Sequence, residues 1–355
     1  LIVFPTLKQK PMKKIRILSL DGGGIRGIIP GVILNYLEKQ LQLKSDSQRK
    51  IGDYFDFIAG TSTGGILACA YLITNNDGTA KYSASDALDL YLKEGSGIFY
   101  RNTKQKISSG FGFLDEKYSA KQLEQDLLSF FGDALLNSFA KPCLITSYEI
   151  TARNAHFFNS AEANDPLHNF KVRDVARATS AAPTYFEPAL IYSEAGQSFS
   201  LIDGGVFAND PALCAYAEVR KMKFSELLKN NEKPDSPSAK DMLLISIGTG
   251  TVTEAYHYKD FKDAGQLKWL QPIIDILMSG NAETVDYQLN QIYKTLELKD
   301  RQDYYRLQPP LREALPKMDL ASPQNIDNLK QAGLWFIAKN EAMLDEIVEK
   351  ILANE

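Results

Sequence analysis

Three times in these 355 residues a run of β-forming side chains stops at glycines and gives way to an apolar helical pattern. The first run, Lys14 to Leu20, meets Asp21-Gly22-Gly23-Gly24-Ile25-Arg26-Gly27. Ile28, Ile29, Val32, Ile33, Tyr36, Leu37 and Leu41 then follow at helical spacing. The second run, Tyr54 to Ala59, meets Gly60-Thr61-Ser62-Thr63-Gly64 ahead of an apolar helix ending at Leu72. The third, Ser198 to Ile202, meets Asp203-Gly204-Gly205. Strands alternating with helices predict an α/β fold with a mainly parallel central sheet covered on both faces. Sites in such sheets form at the carboxyl ends of strands, where all three glycine motifs fall. Further strands are expected at Leu144 to Glu149 and at Met242 to Ile247, the latter ending in Gly248-Thr249-Gly250. Helices are expected at Ala84 to Leu92, Ala120 to Phe131, Asp174 to Ser180, Leu267 to Leu298 and Ile326 to Leu352. Lys229 to Lys240 is polar and contains prolines, which reads as a mobile surface loop.

Composition narrows the function classes. A net charge of −4 gives no global attraction to a nucleic acid polymer or an anionic membrane. Three cysteines are too few for a disulfide framework, so Cys69, Cys143 and Cys214 read as small buried hydrophobes. His156, His168 and His257 lie far apart and lack zinc-ligand spacing, so no metal site is expected. No apolar stretch approaches the length of a membrane span, and Leu1 to Phe4 is too short for a signal-peptide core. The expected compartment is therefore the cytoplasm. Met12 stands just before the first strand, and residues 1–13 read as an N-terminal arm or an expression remnant outside the fold.

Gly60-Thr61-Ser62-Thr63-Gly64 fits G-x-S-x-G, in which a serine at a tight strand-to-helix turn projects its hydroxyl away from the sheet. Gly60 and Gly64 are the positions where a Cβ would meet neighbouring backbone. The glycines from Gly22 to Gly27 can expose several N–H groups to one oxygen, as an oxyanion hole requires. Arg26 adds a positive charge to that loop, or braces it by pairing with a carboxylate. Gly22, Gly24 and Gly27 also satisfy the dinucleotide fingerprint G-x-G-x-x-G. That reading expects an acid at the end of the next strand, where this chain has Ala59-Gly60-Thr61-Ser62. None of the three histidines stands at a clear strand end, so each reads as a surface or packing residue. A carboxylate within hydrogen-bond reach of the serine can replace the imidazole, and Asp203 is the best-placed candidate.

These motifs, in this order, resemble those of the patatin-like phospholipase family, bacterial members included. Ala176-Arg177-Ala178-Thr179-Ser180-Ala181-Ala182-Pro183 and Met278-Ser279-Gly280-Asn281-Ala282 add to the likeness, which runs from about Ile15 to Leu307. The resemblance implies a three-layer α/β sandwich as a catalytic domain over residues 14–310, with residues 311–355 packed on it as a helical extension. It implies a lipid acyl hydrolase of phospholipase A or lysophospholipase type. Ser62 would be the nucleophile, Asp203 the general base, and Gly22, Gly23 and Gly24, supported by Arg26, the oxyanion hole. Such enzymes work without calcium or another cofactor on membrane phospholipid or lysophospholipid, through peripheral contact with the membrane. Some are secreted effectors, and some answer to a protein or cyclic-nucleotide activator. The alternatives are a dinucleotide-binding protein, or a storage or interaction protein that keeps the fold with little catalysis.

An aspartate at its usual pKa of about 3.9 is a weak base, so positioning and oxyanion stabilisation would carry most of the rate. Gly95 to Leu114 mixes aromatic and basic residues and reads either as a lid or membrane-contact loop or as a structured loop feeding the core. The apolar stripe from Leu267 to Met278 reads as core packing.

Overall fold

A computed structural model describes residues 12–98, 119–252 and 255–355. Among the described residues, eight strands form one sheet. They are β1 (Ile15–Leu20), β2 (Phe57–Thr61), β3 (Cys143–Glu149), β4 (Asn154–Asn159), β5 (Ala189–Tyr192), β6 (Ser198–Asp203), β7 (Met242–Ile247) and β8 (Tyr304–Leu307). Their order is β5-β6-β3-β2-β1-β7-β8, with β4 on the other edge of β3. β1 and β7 are buried at every position, as expected for central strands covered on both faces.

The covering helices of more than one turn are α1 (Ile28–Ser45), α2 (Thr63–Leu72), α3 (Ala84–Ile98), α4 (Lys121–Phe131), α5 (Val172–Thr179), α6 (Ala212–Val219), α7 (Gln266–Lys294), α8 (Pro323–Lys339) and α9 (Glu341–Ala353). Two cores lie on the two faces of the sheet. Leu18, Leu20, Ile58 and Ile245 join α1 to α5, α8 and α9 on one face. Ile15, Ile17, Ala59 and Leu244 join α6 and α7 on the other. This alternation is the period of two that a pleated strand imposes, and it gives the three layers. The helices after residue 310 thus share the first core with α1.

The strands β3, β2, β1, β7 and β8 are mutually parallel. β4 and β6 run antiparallel to β3, and β5 runs antiparallel to β6. Sequence patterning assigned no strand to β4, β5 or β8. β4 is polar at half its positions and β5 alternates buried with exposed residues, so neither reads as a buried run.

Three sequence expectations change. Lys229 to Lys240 is no free surface loop, because the Lys233 ammonium is buried against Asp56 at 2.5 Å, Lys14 O at 2.8 Å and Asn354 O at 2.7 Å. The Leu267–Met278 stripe does not fill the core. Ile273 is 49% exposed and Leu277 54%, in the N-terminal half of α7. Of Gly95 to Leu114, only the stretch to Ile98, which ends α3, belongs to the described residues.

Candidate active site

Ser62 follows the last residue of β2 and precedes α2, with φ 54° and ψ −123°. A non-glycine residue avoids that region, so the turn stores strain that its surroundings hold. Gly64 explains how the turn closes: a Cβ there would stand 2.2 Å from the Leu20 carbonyl oxygen of β1. The Ser62 N–H donates to Thr179 Oγ1 at 2.8 Å, and Thr179 Oγ1 donates to the Thr146 carbonyl of β3 at 2.6 Å.

Asp203 reaches Ser62 by a route that strand-end reasoning did not foresee. β6 is not one of the parallel strands. β3 extends beyond the end of β2, pairing Thr61 with Thr146 and then Ser147 with Asp203. β4 occupies the other edge of β3 from Leu144 to Glu149, so β2 and β6 share one edge and meet end to end. Their carboxyl termini are Thr61, followed by Ser62, and Asp203. The Asp203 N–H donates to Ala181 O at 3.0 Å. The stretch Thr179 to Ala181 therefore anchors the backbone of both Ser62 and Asp203.

The Asp203 carboxylate accepts from the Gly205 N–H at 2.7 Å and lies near enough to the Ser62 hydroxyl to be stabilised by it. Burial pushes its carboxyl up to about 6, against the pull of those two donors. The carboxyl thus holds a proton more readily than the reference value used for the sequence expectation. The histidines stand apart from this pair. His156 packs among the rings of Phe158, Phe170 and Phe199 on β4, while His168 and His257 are exposed.

The Gly22–Gly24 loop lies directly against the serine: a Cβ on Gly22 would stand 3.2 Å from Ser62 Cβ. Its three N–H groups are not equivalent. Gly22 donates to the Asn209 carbonyl at 3.1 Å, whereas Gly23 and Gly24 have no acceptor among the described residues. Gly24 adopts φ 59°, a left-handed conformation that suits glycine. Arg26 is buried, and its Nε donates to the Gly23 carbonyl at 3.3 Å, so it braces the loop through backbone. Asp21, at the base of the loop, is held by a forked pair with Arg306 of β8 at 2.6 and 2.8 Å. The same guanidinium reaches Asp210 at 3.1 Å, just beyond Asn209. Asn281 Nδ2 donates to Phe207 O at 2.7 Å and ties α7 to the one-turn helix Gly205–Ala208.

Ser62 and Asp203 open onto a cleft with about 900 Å³ of empty space, its open mouth included. Ile66, Leu123, Pro183, Phe186, Leu277 and Met318 make most of its wall apolar. Sequence reasoning missed the contribution of α7 because a helical apolar stripe looks the same whether it faces a core or a cleft. A strained serine beside a buried carboxylate, two amides without an acceptor among the described residues and an apolar trough together suit acyl transfer from a lipid ester.

Comparison with known proteins points the same way. The family pattern of the patatin-like phospholipases matches residues 18–216. The chain is 36% identical to patatin-like protein 1 of Arabidopsis thaliana, across 93% of this chain and 83% of the relative. It is 34% identical to patatin-like protein 2 of Oryza sativa subsp. indica, across 94% of this chain and 86% of that relative. These relatives are plant proteins, so they lend nothing to the expectation of a bacterial member. The crystal structure of VipD from Legionella pneumophila is a looser likeness, with a TM-score of 0.37 and 12% identity over 93% of this chain and 67% of that one. The family pattern covers more than half of the sequence and the relatives nearly all of it: the chain belongs to the patatin-like phospholipase family, a family of lipid hydrolases.

Proposed function

We propose that this protein is a serine lipid acyl hydrolase of phospholipase A or lysophospholipase type, working through a Ser62–Asp203 dyad. The observation that carries the reading is that β3 brings the end of β2, and with it Ser62, against a buried Asp203 that burial pushes up to about 6, with the histidines elsewhere. Asp203 takes the Ser62 proton as Oγ attacks the ester carbonyl. The Gly23 and Gly24 N–H groups receive the oxyanion, with the N-terminal end of α2 adding a favourable field. As the tetrahedral intermediate collapses, Asp203 returns the proton to the departing alcohol. Water then attacks the acyl-enzyme, again giving a proton to Asp203, and the fatty acid leaves as Ser62 is reprotonated. No step requires a metal or a cofactor.

The apolar cleft supports a fatty-acyl substrate, and the half-exposed Leu277 on its wall, next to exposed Ile273 and Ile276 on the same helix, supports peripheral contact with a lipid surface. No helix among the described residues is long and apolar enough to cross a membrane. The test is fatty-acid release from mixed phospholipid vesicles without calcium, by wild type and by Ser62→Ala. Release that disappears in the variant is the expected result. Release that persists would remove Ser62 from the mechanism. A wild type silent on vesicles, yet cleaving a short soluble ester through Ser62, would indicate an enzyme awaiting a protein or cyclic-nucleotide activator. Silence on both substrates would favour the storage or interaction reading.

A further inference from the structure

The Gly248-Thr249-Gly250 turn at the end of β7 has no part in the reaction described so far, yet it touches the catalytic loop. Thr249 is 4% exposed, and its Oγ1 donates to the Gly22 carbonyl at 2.8 Å. Gly22 C=O and Gly23 N–H belong to one peptide unit, and all peptide bonds described here are trans. In a trans peptide the two groups point in opposite directions across a rigid plane. Whatever fixes the carbonyl therefore aims the N–H. The next peptide is held the same way, because Gly23 C=O accepts from Arg26 N–H at 3.3 Å and from Arg26 Nε at 3.3 Å. The two amides without acceptors among the described residues are thus the two whose peptide carbonyls are clamped from behind. Thr249 also packs on the loop, since a Cβ on Gly23 would come within 2.1 Å of its Oγ1.

We propose that Thr249 is a positioning residue for the oxyanion hole, its hydroxyl holding the Gly22 carbonyl so that the Gly23 N–H faces the tetrahedral intermediate. The inference rests on the hydrolase reading of Ser62. It differs from a packing role in one respect: the hydroxyl matters and the shape does not. Arg306 and Asp210 anchor the base of the loop independently, so loss of one hydroxyl leaves the loop in place.

The experiment compares wild type, Thr249→Val, Thr249→Ser and Ser62→Ala on a soluble short-chain ester, with fluorophosphonate labelling of Ser62 as a second readout. Thermal melts confirm that each variant is folded. Thr249→Val, with nearly the same shape and no hydroxyl, is expected to lose roughly ten- to a hundredfold in kcat and in labelling rate. KM should stay within about twofold, since the hole binds the transition state and not the ester. Thr249→Ser should recover most of the loss. Wild-type kcat in Thr249→Val, a loss carried by KM, or a serine variant as slow as the valine variant would each overturn the inference. Turnover abolished by Ser62→Ala but untouched by Thr249→Val would overturn it alone. Turnover surviving Ser62→Ala would overturn the hydrolase reading and the inference together.

Discussion

Asp56 and Asp203 are both almost fully buried, at opposite ends of the sheet, and their surroundings drive them in opposite directions. Asp56 stands immediately before β2, the strand that Ser62 follows. It receives Arg16 N at 2.9 Å, Arg16 Nε at 3.1 Å, Arg16 Nη2 at 2.8 Å and Lys233 Nζ at 2.5 Å. Burial alone would push its carboxyl up, but the two cations together hold it below the usual range. Asp203 has a hydroxyl and an amide where Asp56 has a guanidinium and an ammonium, and burial pushes it up to about 6. A buried carboxylate surrounded by cations stays ionised and ties elements together. One left with neutral donors keeps an affinity for protons, which is what a general base requires.

The largest effect that would sharpen this contrast is on turnover. Asp203→Asn removes the proton acceptor and should lower kcat by about a thousandfold on a soluble ester. Asp56→Asn, assayed where it remains folded, should leave kcat within a few-fold; an equal loss in both would break the distinction. Stability should respond with opposite signs. Asp56→Asn leaves Arg16 and Lys233 buried with a neutral partner and should cost about 3–5 kcal/mol in urea unfolding at neutral pH. Asp56 has a depressed folded-state pKa, so its contribution is present above its unfolded pKa and lost as pH falls through the folded one. The deficit of the variant should therefore shrink in acid. Asp203 has a raised folded-state pKa, so its contribution to stability is full below its unfolded pKa and lost as pH rises through about 6. Asp203→Asn should then be the more stable protein at pH 8, by on the order of 2–3 kcal/mol, with the gain fading below about pH 4. A destabilised Asp203→Asn at pH 8 would contradict the assigned environment.

The pH dependence of the reaction is a smaller and more direct probe. With a base near 6, kcat/KM should climb about tenfold between pH 5 and a plateau above pH 7. A profile flat through that range would point to a group other than Asp203. The smallest effect concerns the support behind the serine. Thr63 Oγ1 donates to Tyr91 OH at 2.6 Å, and Tyr91 OH donates to Thr63 O at 2.9 Å. Tyr91→Phe should cost about 1 kcal/mol of stability by thermal melt, with KM for a soluble ester nearly unchanged.

Much of the candidate site was legible because its requirements are local. Gly60 answers to the Gly64 backbone within its own turn and Gly24 to its own positive φ, while Gly64 answers to the Leu20 carbonyl of β1 but sits at the fixed spacing the turn itself demands. Those constraints select residue types at fixed spacing, so Ser62 and the glycine loop could be picked out before any fold was known. Asp203 was picked out as a carboxylate ending a strand, but the reason it meets Ser62 was not visible. That depends on β3 outrunning β2, so that an antiparallel β6 arrives on the vacated edge.

The same division runs through the rest of the molecule. The alternation of strands and helices, the apolar central strands and the places where the chain must turn follow from propensity, periodicity and the sterics of a missing Cβ, all carried by neighbouring residues. Tertiary structure alone decided that Lys233 is buried from within a polar loop and that the stripe on α7 faces a cleft. It likewise decided that Thr249 stands behind Gly22, 227 positions away in the chain. In each case the deciding partner is remote in sequence, and a side chain's role is set by what packing brings against it.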